Sequence, residues 1–251
     1  MDDPRVAVGR DAFRETALSA PDGARVPVEL RITVDDPFLA YRRARDGTGR
    51  GAGAYLATTG GRAGWGYFGV DPVERLIVGP DAVVVGDGAA DGAAADVDDG
   101  EGVTTGTGRS ADSPTLSALA GLLDDETLAR GDCTVPYPCG VVGWLSYDVA
   151  RELESLPEET AAPRGLPRLQ AALYDALVAW TEPRPDGGDP VELRVTVCPT
   201  VADDDDPGEE YEETLDKGRA LVTATDRALD GDDLAVASET DGDAPQGGDE
   251  R

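Results

Sequence analysis

Residues 136–156 read Pro136-Tyr-Pro-Cys-Gly140-Val-Val-Gly-Trp-Leu145-Ser-Tyr-Asp-Val-Ala150-Arg-Glu-Leu-Glu-Ser-Leu156. Val141, Val142, Trp144, Leu145 and Tyr147 are β-branched, aliphatic or aromatic and crowd into one short run, while Gly140 and Gly143 allow close backbone approach. That composition predicts a buried strand. Asp148 follows where a helix can start. Val149, Leu153 and Leu156 then recur at helical spacing, with Arg151, Glu152 and Glu154 facing elsewhere. Taken alone, the stretch predicts a core strand feeding a surface helix.

Outward from this centre, turn and cap signals divide the chain. Upstream, Ser113-Pro114 begins a helix carried by Leu116, Leu119, Leu122 and Leu123, with Gly131 placed to stop it after Arg130. Before that helix, residues 86–112 are Gly, Ala and Asp with few large apolar groups and are expected to form a disordered acidic loop. Leu76 to Val85 predicts a strand pair around Gly79-Pro80-Asp81, and Ala54–Leu56 with Gly64–Val70 predicts a hairpin. Arg25 to Val34 alternates as a strand with one buried face, and Asp36-Pro37 caps a short helix through Phe38, Leu39 and Tyr41. Two glycine patterns, Gly49-x-Gly51 and Gly106-x-Gly108, mimic a dinucleotide fingerprint but lack the strand–turn–helix setting, and are rejected.

Downstream, Leu156 to Pro167 is a proline-rich loop, and Val191 to Val197 alternates as a strand. Asp203 to Pro207 is an acidic linker before an amphipathic helix over Glu209 to Leu229. Residues 231–251 have the composition of a disordered tail. Short hairpin connections and few helices predict an α+β fold with antiparallel sheets, in one domain over residues 1–230.

Composition limits the function classes. The 251 residues carry 22 basic against 51 acidic groups, a net charge of −29, with Lys217 the only lysine. Such self-repulsion is tolerated where salt screens it, so a salt-in halophilic source is expected. Nucleic acid and anionic membranes are disfavoured as partners, because both demand cationic groups. There is no histidine, which removes the commonest general base and most transition-metal sites, and the acidic residues lack a calcium-loop pattern. Cys133, Cys139 and Cys198 lack metal-ligand spacing; a Cys133–Cys139 disulfide is open, with reduced thiols favoured in a cytosol. The start, Met1-Asp-Asp-Pro, shows no secretory signal and no run approaches a membrane span, so a cytoplasmic location is expected.

The central stretch also carries a resemblance. Gly140-Val-Val-Gly143-Trp-Leu-Ser-Tyr147-Asp148-Val-Ala-Arg151-Glu-Leu-Glu154 resembles the signature of the N-terminal region of chorismate-utilising synthases, component I of anthranilate synthase and of aminodeoxychorismate (para-aminobenzoate) synthase, of halophilic archaeal type. Cys139 stands where that family usually has its first glycine. Tyr55-Leu56-Ala57-Thr58 occupies the place of the family's Leu-Leu-Glu-Ser, and Trp65-Gly-Tyr67-Phe68-Gly69-Val-Asp71-Pro72 resembles a second family segment. Core packing accounts for Trp65, Tyr67 and Phe68 whether or not the resemblance holds. The match runs in the family's order from Val26 to about Leu229, and within it Leu169 to Glu182 resembles a family strand that precedes a second hairpin.

The resemblance implies a structural and regulatory domain of an enzyme that aminates chorismate in tryptophan or folate biosynthesis. It implies no catalytic residue, cofactor or metal ligand in this chain: the chorismate and Mg²⁺ residues belong to a C-terminal half whose motifs are absent. The implied partners are that chorismate-binding half and a glutamine amidotransferase subunit. Leu56, Ala57 and Thr58 correspond to the family's tryptophan effector pocket, in which Ala57 replaces a glutamate. That loss leans the reading toward aminodeoxychorismate synthase. Gly140, Gly143, Tyr147, Asp148 and Arg151 are read as a structural motif. The alternative is a stand-alone acidic α+β protein that keeps this domain for interaction or small-molecule binding.

Overall fold

Alternating apolar residues at Val28, Leu30, Ile32 and Val34 turn one face of a strand inward, and in the computed structural model they lie in the middle of the principal core. The structure describes residues 4–47, 52–58, 61–80, 84–86, 113–124, 126–154, 165–184, 189–202 and 204–226. The acidic loop and the tail expected from composition lie almost wholly outside them.

The chain opens with β1 (Arg5–Val6) and α1 (Arg10–Ser19), neither signalled in the sequence, followed by β2 (Ala24–Arg25) and β3 (Val28–Val34). Helix α2 (Pro37–Gly47) starts where expected, because the Asp36 carboxylate accepts hydrogen bonds from the N–H groups of Phe38 and Leu39 at 2.7 and 3.2 Å. Next come β4 (Gly53–Leu56), β5 (Gly64–Val70), β6 (Glu74–Val78) and β7 (Val84–Gly86). Helix α3 (Pro114–Leu123) is capped by Ser113, whose side chain accepts from the Leu116 N–H at 3.2 Å. It stops at Leu123, well before Gly131.

Strand β8 (Gly140–Leu145) leads through a 3₁₀ turn (Tyr147–Val149) into the one-turn α4 (Ala150–Leu153). Ser146, not Asp148, caps that turn. The expected single strand from Leu169 to Glu182 is two, β9 (Leu169–Tyr174) and β10 (Ala176–Glu182), divided at Asp175. After β11 (Val191–Val197) and β12 (Thr200–Val201), α5 (Pro207–Thr225) closes the described fold. Asp206 caps α5 through its side chain, so the segment read as a linker supplies a helix start.

The strands form two main antiparallel sheets, as an α+β fold requires. One has six strands in the order β1-β3-β11-β10-β5-β4, the other four in the order β7-β6-β9-β8; β2 and β12 pair separately. The break at Asp175 lets one run of chain serve both sheets: β9 lies between β6 and β8, and β10 between β11 and β5. Helices α1, α2 and α5 pack with the six-stranded sheet, where Leu177 to Trp180 are buried in an unbroken run because β10 is covered on both faces. Phe13 of α1 meets Tyr211 of α5 with ring centroids 5.6 Å apart. In the smaller sheet, Leu76, Val78, Leu169 and Ala171 pack against Ala118, Leu119 and Leu122 of α3.

Candidate functional site

Strand β8 is a strand as expected, but not a buried one. Among the described residues it is the edge of its sheet, paired with β9 alone, and its exposure grows along its length: Trp144 is 42% and Leu145 48% exposed, and Tyr147 just beyond is 97% exposed. Its far end thus faces solvent, against the reading of a core strand, while Val141 packs against the small core from a half-buried position. The two motif glycines have separate reasons. Gly140 has φ 125°, a backbone conformation that L side chains rarely adopt. Gly143 lies so close to β9 that a Cβ would collide with the Gln170 carbonyl and come within 2.6 Å of Ala171 Cα.

Asp148 and Arg151 are brought together as an ion pair, Nε to Oδ1 at 3.2 Å, on the exposed side of the turn. The sequence assigned Glu152 to that side as well, but its side chain is only 4% exposed and turns inward. There it accepts from Ser113 Oγ at 2.5 Å, Thr115 Oγ1 at 2.7 Å, the Thr115 N–H at 3.0 Å and the Arg168 guanidinium at 2.5 Å. Burial works against its charge, but these bonds together outweigh burial and hold the carboxyl at about 2. Glu152 also sits at the N-terminus of α3, where unpaired N–H groups favour an anion. Arg168 extends the link: its N–H donates to the Val78 carbonyl and its own carbonyl accepts from Ser146 N–H, both at 2.7 Å. One carboxylate therefore joins the motif turn, α3 and the small sheet.

A second buried carboxylate, Glu29, was hidden in the apparently polar face of β3. It is fully buried and accepts from Thr134 N–H at 2.9 Å, from Thr134 Oγ1 and from Arg31 Nε at 2.9 Å. Burial opposes its ionisation, yet these bonds lower its pKa. The signal available in sequence was a glutamate between Val28 and Leu30, which alternation alone assigns to solvent.

Leu56, Ala57 and Thr58 lie at the end of β4, the other edge of the six-stranded sheet. Leu56 is 49% exposed and Ala57 is exposed, while Thr58 is half-buried beside Gly64. Beneath them Tyr55 stacks on Trp180 at 5.3 Å and meets Phe38 edge-on at 5.2 Å. The Trp180 indole N–H donates to Glu182 Oε1 at 2.7 Å. Of the second resemblance segment, Phe68 is core, while Trp65 and Tyr67 pack against the core from half-buried positions, Trp65 with the Arg194 guanidinium 5.0 Å above its ring.

The cysteines meet differently from the open pairing: all three are free, and the Cys139 and Cys198 side chains hydrogen-bond each other. That bond lowers Cys139, whereas burial pushes Cys198 well up and Cys133 up to about 11. Among the described residues, no three His, Cys, Asp or Glu side chains gather as a metal site, and no helix is long and apolar enough to cross a membrane.

No family model matches the chain. Two curated proteins do. Anthranilate synthase component 1 3 of Haloarcula marismortui is 49% identical over 222 residues, covering 88% of this chain and 37% of that protein. Anthranilate synthase component 1 1 of the same organism is 50% identical over 221 residues, covering 86% and 38%. The chain thus spans little more than a third of the length of the relatives it matches. Identity near one half over nearly the whole chain, added to the ordered motifs and the antiparallel α+β fold, makes this chain a relative of the N-terminal region of component I of the chorismate-utilising synthases.

Proposed function

We propose that this chain is the N-terminal structural and regulatory part of a component I that aminates chorismate, and that it depends on a polypeptide corresponding to the rest of its relatives for catalysis. The observation that carries the reading is the identity of about one half with two anthranilate synthase components 1 over 86–88% of the chain. Both relatives' names favour anthranilate as the product, which displaces the preference for aminodeoxychorismate drawn from Ala57. The remaining polypeptide would bind chorismate, and a glutamine amidotransferase would supply ammonia.

The chain's own side chains fit a supporting role. Among the described residues Glu29 and Glu152 are the carboxylates with buried side chains, and their oxygens are taken up by hydroxyl, backbone and guanidinium donors. They do not fit a magnesium ion, which needs free oxygen ligands, and in this reading the Mg²⁺ of the reaction would be held by the remaining polypeptide. At the effector position the exposed Ala57 brings no carboxylate to a ligand's ammonium group, and Thr58 can offer a hydrogen bond worth about 1 kcal/mol. Tryptophan is therefore expected to bind this chain weakly, and Ala57→Glu to strengthen binding only in the assembled enzyme.

Anthranilate fluorescence in molar KCl with chorismate, ammonia and Mg²⁺ tests the proposal. The chain alone should form no product, and co-expression with the remaining polypeptide of a Haloarcula relative should restore it. Product from the chain alone, above a heat-killed control, would overturn the dependence; no product from the co-expressed pair would count against the assignment.

A further inference from the structure

Register fixes which residues share the face of the small sheet opposite α3. Arg75, Ala172 and Val142 form one row across β6, β9 and β8, and Ile77, Gln170 and Trp144 form the next. The Trp144 indole N–H donates to Gln170 Oε1 at 3.3 Å along that row. Leu76, Val78, Leu169 and Ala171 point the other way, into the core beneath α3. An antiparallel sheet with one covered face normally makes its second face polar. Here Ile77, Val142 and Ala172 are half-buried and Trp144 is 42% exposed.

The face departs from the rest of the chain in charge as well. With 51 acidic residues among 251, carboxylates dominate the chain, yet the described residues of this face include none. A chain carrying net charge −29 that keeps an acid-free strip, with Ile77, Val142, Ala172 and Trp144 beside only Arg75 and Gln170, has a surface built for burial against a largely apolar partner. The strip ends at β8, which among the described residues is a sheet edge paired with β9 alone. The relatives carry the matched region in a polypeptide more than twice as long, since the match covers 37–38% of them.

We infer that this face, centred on Trp144 and bounded by the β8 edge, is the docking surface for the polypeptide corresponding to the remaining part of those relatives. The inference rests on the proposed function and adds the surface through which assembly occurs. Burial of Trp144 supplies the anchor, because large aromatics in desolvated centres dominate association energy.

Co-expression with the remaining polypeptide of a Haloarcula relative, followed by co-purification in molar KCl, tests it. Trp144→Asp should reduce the recovered complex at least tenfold, and so should Gln170→Glu, an isosteric change at an exposed position that puts one carboxylate on the face. Leu18→Asp on α1, at a residue 69% exposed, should leave recovery unchanged. Circular dichroism of the free variants separates lost docking from lost folding, and Gln170→Glu carries the test if Trp144→Asp unfolds. Recovery of both variants at the wild-type level would overturn the docking face while leaving the proposed function standing. No complex even with the wild-type chain would count against both. A homodimer of the free chain that both variants abolish would show a second copy on the face and overturn the inference.

Discussion

Trp180 and Trp144 are both indoles on antiparallel strands, and both donate to a side-chain oxygen, Glu182 at 2.7 Å and Gln170 at 3.3 Å. Trp180 lies on a central strand, fully buried between Tyr55 and Phe68, whereas Trp144 lies on an edge strand and is 42% exposed. The six-stranded sheet finds its covering within the chain, from α1, α2 and α5. Among the described residues, the four-stranded sheet finds a helix, α3, on one face only. The same residue type thus measures how far each sheet is completed by its own sequence, and the incomplete one carries the family motif.

Several substitutions would break or sharpen this contrast. The largest effect is expected for Trp180→Ala, which removes a fully buried indole and should cost about 3–5 kcal/mol. Urea unfolding in molar KCl would measure it, and a loss under about 1 kcal/mol would mean that the large sheet is not the stable body of the chain.

Glu152→Gln comes next. It leaves Arg168 without its charged partner at 2.5 Å and weakens three bonds from Ser113 and Thr115, at a cost of about 2–4 kcal/mol. Because the folded carboxyl lies near 2, below its ordinary value of 4.5, its contribution is fully present above about pH 5 and fades as pH falls toward 2. Acid titration of unfolding free energy should therefore show a slope in that window that is smaller in Glu152→Gln. An unchanged slope would place the acid sensitivity elsewhere, with Glu29 the next carboxylate to vary.

Gly143→Ala should cost about 1–3 kcal/mol by forcing β8 away from the Gln170 carbonyl. The smallest effect is expected for Trp144→Ala, within about 1 kcal/mol in the isolated chain, since its ring is already part-solvated there. A Trp144→Ala loss as large as that of Trp180→Ala would erase the contrast between the sheets.

The division of legibility follows the same line. Strands β3, β5 and β11 and helices α2, α3 and α5 were readable because each couples a hydrophobic period to a local cap or turn, such as Asp36-Pro37 or Ser113-Pro114. Helix α1 was missed: it has no side-chain cap, and only Phe13 is buried. The split at Asp175 was missed because both strands are apolar, and nothing local says that one chain run changes sheets. Strand β8 was read as core for a related reason, since apolar composition shows that a surface is to be covered but not whether the cover lies in the same chain. Glu29 and Glu152 were illegible because, apart from Arg31 beside Glu29, their donors lie at Thr134, Ser113, Thr115 and Arg168, 16 to 105 residues away in sequence.

Backbone hydrogen exchange in the isolated chain at molar KCl tests the difference between the sheets most directly. Amides of β10 and β11 should exchange only through global unfolding, while those of β8, from Gly140 to Leu145, should exchange orders of magnitude faster through local opening of an uncovered edge. Equal protection of β8 and β10 in the chain alone would contradict the account, because the small sheet would then be complete without any partner.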